Sequence, residues 1–293
     1  MSIFILILIA VLFGLVEGIT EWLPISSTGH MILLFDWIPL QDFLSIPGNA
    51  EYFPAFKGMF LVVIQLGAIA AVVIYFWNKL WPWKKGREVA ERKEVYHTWG
   101  KTLLACLPAA IVGIIADEFI DNYLFNTLTV GLTLVIYGVA FILLEIWNKK
   151  RHASTTNIRE LSYKTALLIG LIQLLALIPG TSRSGITILG AMLLGCSRET
   201  SAEFSFFLAI PIMLGASAVK GLKFFVNFGS VVPWEHYLFL LTGCLVAFAV
   251  SLLAVRWLMK FVKNHSFSVF GYYRIALGAF VLLWFILQTT QIV

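Results

Sequence analysis

Two short stretches of this 293-residue chain hold the residue types that can do chemistry. The first is Glu17-Gly-Ile-Thr-Glu-Trp-Leu-Pro-Ile-Ser-Ser-Thr-Gly-His30, which sets two carboxylates, the hydroxyls of Ser26, Ser27 and Thr28, and an imidazole within an apolar segment. Glu17 and Glu21 are four apart, so on a helix they share a face with Cβ atoms about 6 Å from each other. Like charges so placed repel, and in a membrane they are costly, so a divalent cation, a proton or a basic partner must neutralise them. Pro24 ends the helix, having no N–H to give and a ring that clashes with the preceding turn. The second stretch is Pro179-Gly-Thr-Ser-Arg-Ser-Gly185. An arginine at membrane depth costs roughly 2.5–3.5 kcal/mol on insertion scales and needs an anion. The guanidinium of Arg183 has a planar fork suited to phosphate oxygens. Thr181, Ser182 and Ser184 add hydroxyl donors beside it, and glycines at helix N-termini expose backbone N–H groups to an anion. Carboxylates do not bind phosphate directly, but they hold Mg²⁺ or Ca²⁺, which bridges to it. Brought together, the two stretches fit metal-assisted phosphoryl transfer on a lipid-borne diphosphate better than they fit anion transport. Two plainer readings compete: a capped helix end with snorkelling glutamates, and an Arg183 that only neutralises those glutamates.

The elements that must position these residues are membrane helices. Hydrophobic residues make up 60% of the chain and charged residues 13%, against about 25% charged in a soluble domain. Mean hydropathy is +0.89. The apolar runs lack the alternation of a β-barrel. A formal net charge of +5 is no nucleic-acid signal, since the basic residues sit in short connections between spans. Cys106, Cys196 and Cys244 fall in apolar segments without metal-binding spacing. No basic residue precedes the first apolar segment and no small-residue cleavage site follows it, so that segment is expected to stay in the mature protein.

The expected fold is an all-α polytopic membrane protein built as an inverted-topology repeat. Shifting the sequence by 156 places Gly14 on Gly170, Glu17 on Gln173, Ser26 on Ser182, Thr28 on Ser184 and Gly29 on Gly185. Each half is then a re-entrant helical hairpin plus three transmembrane helices, all within one integral membrane domain, 1–293. The first half, 1–150, has a hairpin at 2–40 and spans at 58–77, 102–116 and 127–147. The second, 160–293, has a hairpin at 165–194 and spans at 204–225, 237–259 and 270–287. Residues 78–101 read as a basic loop, with seven Lys/Arg against three Glu, and 148–164 as another. A third basic cluster is Arg256, Lys260, Lys263 and Arg274. The positive-inside rule puts all three on the cytoplasmic side if 165–194 enters and returns, although Lys220 and Lys223 then lie near the outer face. Broken helices meeting near the midplane build a polar site inside a membrane.

Gly14 to His30 resembles the first signature of the undecaprenyl-diphosphate phosphatase (bacitracin-resistance) family, and Pro179 to Gly185 resembles the second. Phe60–Gly67 and Glu203–Pro211 also resemble family blocks. The resemblance implies a bacterial inner-membrane enzyme that cleaves undecaprenyl diphosphate to the monophosphate and phosphate, recycling the carrier lipid for peptidoglycan synthesis. Divalent-cation dependence, a site opening to the periplasm and a link to bacitracin are likewise implied by it. On this basis Glu17 and Glu21 are expected to hold the cation, with Glu21 also a candidate general base. Ser27 is the chosen nucleophile, with His30 as acid, base or rival nucleophile. Arg183 is expected to clamp the phosphoryl oxygens, and Ser26, Thr28, Thr181, Ser182 and Ser184 to bind substrate. The expected partners are a polyprenyl diphosphate and the bilayer, with no nucleic acid; a homodimer is an open option. The competing class is a transporter or flippase of a polyprenyl phosphate. The acid-phosphatase-like membrane type is set aside because its K-x₆-R-P motif is absent.

Overall fold

A lipid solvent offers backbone amides no partners, so a chain this apolar must satisfy them within each segment. The computed structural model, which describes residues 3–290, does so with helices throughout and no strand among the described residues. Ser2, where the first hairpin is expected to begin, lies outside them. In order come α1 (Ile3–Thr20), α2 (Ser27–Trp37), α3 (Gln41–Leu44), α4 (Tyr52–Val63), α5 (Gln65–Tyr75), α6 (Trp77–Leu80) and α7 (Val89–Phe119). A π-helical turn, Ile120–Leu124, leads to α8 (Thr127–Asn148). The second half runs through α9 (Tyr163–Ile172), a 3₁₀ turn at Gln173–Leu177, α10 (Arg183–Leu193), α11 (Arg198–Phe228), α12 (Trp234–Asn264) and α13 (Ser268–Thr289). Among the described residues, seven helical segments are long and apolar enough to cross a membrane, α1 and the joined α4–α5 included.

Several boundaries differ from those expected. The basic stretch before the second span is largely helical, because α7 begins at Val89 and its 31 residues extend about 46 Å, well beyond a hydrocarbon core of about 30 Å. Its polar first turns project past the apolar zone. The expected span at 58–77 begins earlier, at Tyr52, and is interrupted at Ile64. The connection expected between the spans at 102–116 and 127–147 is helical as far as Leu124. Ion pairs gather the basic clusters onto one face. Lys79 binds Glu203 at 2.7 Å, Arg198 binds Glu145 at 2.5 Å and Lys263 binds Glu199 at 3.2 Å. The ends of α6, α8 and α12 and the start of α11 therefore lie together. Arg274 does not join that face and is fully buried in the interior.

Helix α1 packs on α12, α9 on α7, α8 on α13, and α11 on α4 and α5. Small residues allow the close approaches. A Cβ at Gly170 would lie 2.2 Å from the Ala105 carbonyl oxygen, and one at Gly14 would lie 2.7 Å from that of Gly243. Ile111, Ile114 and Ile115 on α7 and Ile136 and Leu143 on α8 are exposed, as a lipid-facing surface requires.

Candidate active site

Two turns of like construction make the site. Helix α1 ends at Thr20, and the chain turns through residues 21–25 around Pro24. Ser26 then adopts φ 72°, and its hydroxyl accepts from the Gly29 amide at 3.3 Å, capping α2. In the other half the chain turns through Pro179-Gly180, Ser182 adopts φ 70°, and its hydroxyl accepts from the Gly185 amide at 3.1 Å, capping α10. These are the only non-glycine residues with positive φ among those described. Such a conformation costs of order 1–3 kcal/mol and persists only where the surroundings enforce it.

The two turns touch. Ser184 donates to the Glu21 carbonyl at 3.0 Å. The Arg183 guanidinium donates to Glu21 Oε1 at 2.9 Å and to the Ser205 carbonyl at 2.9 Å, and it lies over the Trp22 ring, 5.5 Å from the centroid. Glu21 Oε2 accepts from Ser27 Oγ at 2.6 Å. One carboxylate thus holds a hydroxyl from its own half and a guanidinium from the other. Arg183 is fixed from behind by Thr187, which donates to its carbonyl at 2.8 Å and meets the Ser205 hydroxyl at 2.6 Å.

Beneath both turns lies Arg274 from α13. Its guanidinium donates to the carbonyls of Pro24 at 3.2 Å and of Gly180 and Thr181 at 3.0 Å each. Thr133 on α8 adds a bond to the Pro179 carbonyl at 2.8 Å. Gly180 is forced by two conditions at once: φ is +85°, and a Cβ would sit 2.2 Å from Thr133 Oγ1.

His30 stands apart from the Ser27–Glu21 bond. Its Nδ1 donates to the Ser26 carbonyl at 2.8 Å, which leaves Nε2 to accept from the Tyr273 hydroxyl at 2.7 Å. The two rings stack with centroids 5.7 Å apart. With both nitrogens engaged, His30 is an oriented ring beside the site, and Glu21 is the carboxylate in contact with Ser27.

Some buried polar atoms have no hydrogen-bond partner: Glu17 Oε1, Thr181 Oγ1 and Arg183 Nε. A spare carboxylate oxygen suits a cation, and a spare hydroxyl and N–H suit an anion. Glu17 and Glu21 sit on one helical turn, the Glu21 amide donating to the Glu17 carbonyl at 3.0 Å. No group of three or more acidic, His or Cys side chains able to hold a metal occurs among the described residues. Mg²⁺ nonetheless needs only one or two carboxylates when substrate phosphate and water complete its shell. The donor set therefore fits a cation shared with substrate, not one caged by protein.

Of the expected site residues, the structure brings Glu21, Ser27, Arg183 and Ser184 into direct contact, with Glu17 one turn away. Ser26 and Ser182 serve as caps, and the Ser182 hydroxyl also meets that of Ser184 at 3.2 Å. Thr28 is half-buried on the first turn of α2, and Thr181 is fully buried. Sequence reasoning missed Arg274, Tyr273, Ser205 and Thr133. Arg274 carried a signal, a charge within an apolar span, but was grouped with the exposed cations of α12. Away from the site, His236 is buried and bonded to the Tyr52 hydroxyl at 2.7 Å.

Fold and site define an integral membrane protein with an acid–hydroxyl–guanidinium cluster enclosed among its helices. Residues 10–280 match the family described as bacitracin resistance protein BacA, and the chain belongs to that family. It is 50% identical over 277 residues to an undecaprenyl-diphosphatase of Acetivibrio thermocellus, covering 94% of this chain and 97% of the relative. It is 51% identical over 282 residues to one of Enterococcus faecalis, covering 96% and 97%. With one of Streptococcus mutans it shares 50% over 275 residues, 94% of each.

Proposed function

We infer that this chain hydrolyses undecaprenyl diphosphate to undecaprenyl phosphate and inorganic phosphate, which recycles the carrier lipid for cell-wall synthesis and favours bacitracin resistance. One observation carries the reading: Glu21 holds Ser27 Oγ at 2.6 Å and the Arg183 guanidinium at 2.9 Å. A base, a nucleophile and an anion clamp thus converge on one point. Phosphate release from undecaprenyl diphosphate by purified protein in detergent tests it. A micelle has no compartments, so a protein that only transports releases none.

In the proposed reaction Ser27 Oγ attacks the terminal phosphorus while Glu21 Oε2 takes the hydroxyl proton. The bond from that phosphorus to the bridging oxygen breaks, and undecaprenyl phosphate leaves with the electron pair. Water then attacks the phosphoserine. As the P–Oγ bond breaks, Glu21 returns its proton to Ser27 Oγ and takes the proton that water loses. Hydrogen phosphate departs, and Glu21 releases that proton to solvent. Arg183 meets the phosphoryl oxygens with its free Nε–H, while its bonds to Glu21 and Ser205 keep the guanidinium in place. Thr181, Thr28 and Ser184 contribute hydroxyls. Glu17 and Glu21 would hold a divalent cation, which would supply charge neutralisation of the diphosphate. His30, held by Ser26 and Tyr273, orients the start of α2.

The topology proposed is an inverted repeat with two re-entrant hairpins, α1–α2 and α9–α10. Exchanging the halves turns the α1–α12 contact into α9–α7 and the α5–α12 contact into α11–α7, and all four occur. The paired serines of positive φ support the same exchange. With the basic face cytoplasmic by the positive-inside rule, the chain would sit in the bacterial inner membrane with its site opening to the periplasm. One chain carries the whole residue set, so the reading needs no second copy.

A further inference from the structure

The face that gathers the basic clusters also holds a groove the phosphatase site does not use. It is a cavity of about 410 Å³ between the α5–α6 junction, the start of α11 and the end of α12. Four cations line it, Lys79, Arg256, Lys260 and Lys263, against one carboxylate, Glu199. Lys79 is already neutralised by Glu203 and Lys263 by Glu199. Arg256 and Lys260 have no ion-pair partner among the described residues. They are exposed and four apart on α12, a spacing at which like charges destabilise a helix. Stability alone gives no reason to aim both into one concavity.

The floor and the approach tell what would fill it. Phe76 and Met259 supply apolar wall. One turn deeper on the α12 face that bears Arg256, Leu253 is 66% exposed; Trp257, the next residue after Arg256 and at its depth, where an indole suits the headgroup level, is 49% exposed. The groove is thus cationic at the helix ends and apolar toward the membrane interior. A soluble anion would use only the upper part. A phospholipid matches both.

We propose that this groove binds the headgroup of an anionic phospholipid from the leaflet on the basic face, its phosphate between Arg256 and Lys260 and its acyl chain along Leu253. Basic pockets between membrane helices on the cytoplasmic side bind such headgroups. The site lies on a different set of helix ends from Ser27 and Arg183. It stands whether or not the phosphatase reading does.

Full-length protein in detergent is titrated with phosphatidylglycerol or phosphatidylcholine, and bound lipid is counted by native mass spectrometry. Wild type should prefer phosphatidylglycerol. Arg256→Gln/Lys260→Gln should lose affinity for it about tenfold or more, while Arg256→Lys/Lys260→Arg keeps it. Lys84→Gln/Lys85→Gln, an equal loss of exposed charge from the 78–101 connection, should change it less than about twofold. All three variants should melt within about 2 °C of wild type, which shows that they fold without reference to the phosphatase reaction. Equal losses in the two glutamine pairs would mean a diffuse surface field and overturn the proposal. So would equal binding of the two lipids by wild type, a comparison that needs no variant. Displacement of the lipid by equimolar inorganic phosphate would overturn it too, by assigning the groove to a free anion.

Discussion

Replacing Arg274 by methionine should destabilise the protein strongly although no ion pair is broken. A buried charge paired with another charge can often be exchanged for an apolar residue at little cost, because the desolvation of both ions is relieved. Here the partners are neutral carbonyls belonging to both active-site turns, Pro24 on one side and Gly180 and Thr181 on the other. Methionine fills the space but leaves these acceptors buried without that donor. Hydrogen bonds to a charged group contribute about 1.5–3 kcal/mol each, and an acceptor left bare costs about 1–3 kcal/mol. Relief of the arginine's own desolvation offsets part of three such losses, so a net cost of about 4 kcal/mol is reasonable. At about 2–4 °C per kcal/mol for a large domain, Tm should fall by about 8–16 °C. Tryptophan fluorescence during a thermal ramp in detergent reads this directly. Arg274→Lys, which keeps a charge but not the fork, should fall between. A melting point for Arg274→Met within about 2 °C of wild type would refute the idea that this guanidinium ties the turns together.

Other expectations follow from the same geometry. Ser27→Ala should fold normally and lose at least about 10²-fold in phosphate release; turnover close to wild type would shift the nucleophile to another group. Chelator should suppress phosphate release and Mg²⁺ or Ca²⁺ restore it, with Glu17→Gln needing about tenfold more cation. Chelator-insensitive turnover would remove the cation from the account. Gly180→Ala should cost several kcal/mol, about 3 or more, because a strained φ and a 2.2 Å clash with Thr133 coincide; unchanged thermal stability would contradict that.

The helices were legible because lipid leaves an apolar chain no other option, and the turns that follow α1 and precede α10 because proline and glycine punctuate them. Helix ends were not legible where a helix outruns the membrane. Residues 89–101 are polar and charged, so hydropathy sees a loop where backbone hydrogen bonding simply continues. In the site, Glu21, Ser27 and Arg183 stood out because charge and hydroxyl interrupt apolar runs. Tyr273 did not, since a tyrosine near a span end resembles an interfacial anchor until its hydroxyl is found on His30. Ser205 was hidden for a different reason: its bond to Arg183 is made by a backbone carbonyl, which any residue supplies, and its hydroxyl meets Thr187. Arg274 shows that a lone charge should be judged by the span it interrupts before it is counted with its neighbours.

The most direct test of the central claim separates an ion pair that merely neutralises itself from one that handles phosphate. Glu21→Gln/Arg183→Gln removes both charges of this pair together, so neither partner is left as a bare buried ion and the double variant should fold and melt near wild type. Its release of phosphate from undecaprenyl diphosphate in detergent should nonetheless drop by at least about 10²-fold, the usual cost of losing a well-placed electrostatic donor. Turnover within a few fold of wild type would show that the contact between the two turns holds the fold and does no chemistry.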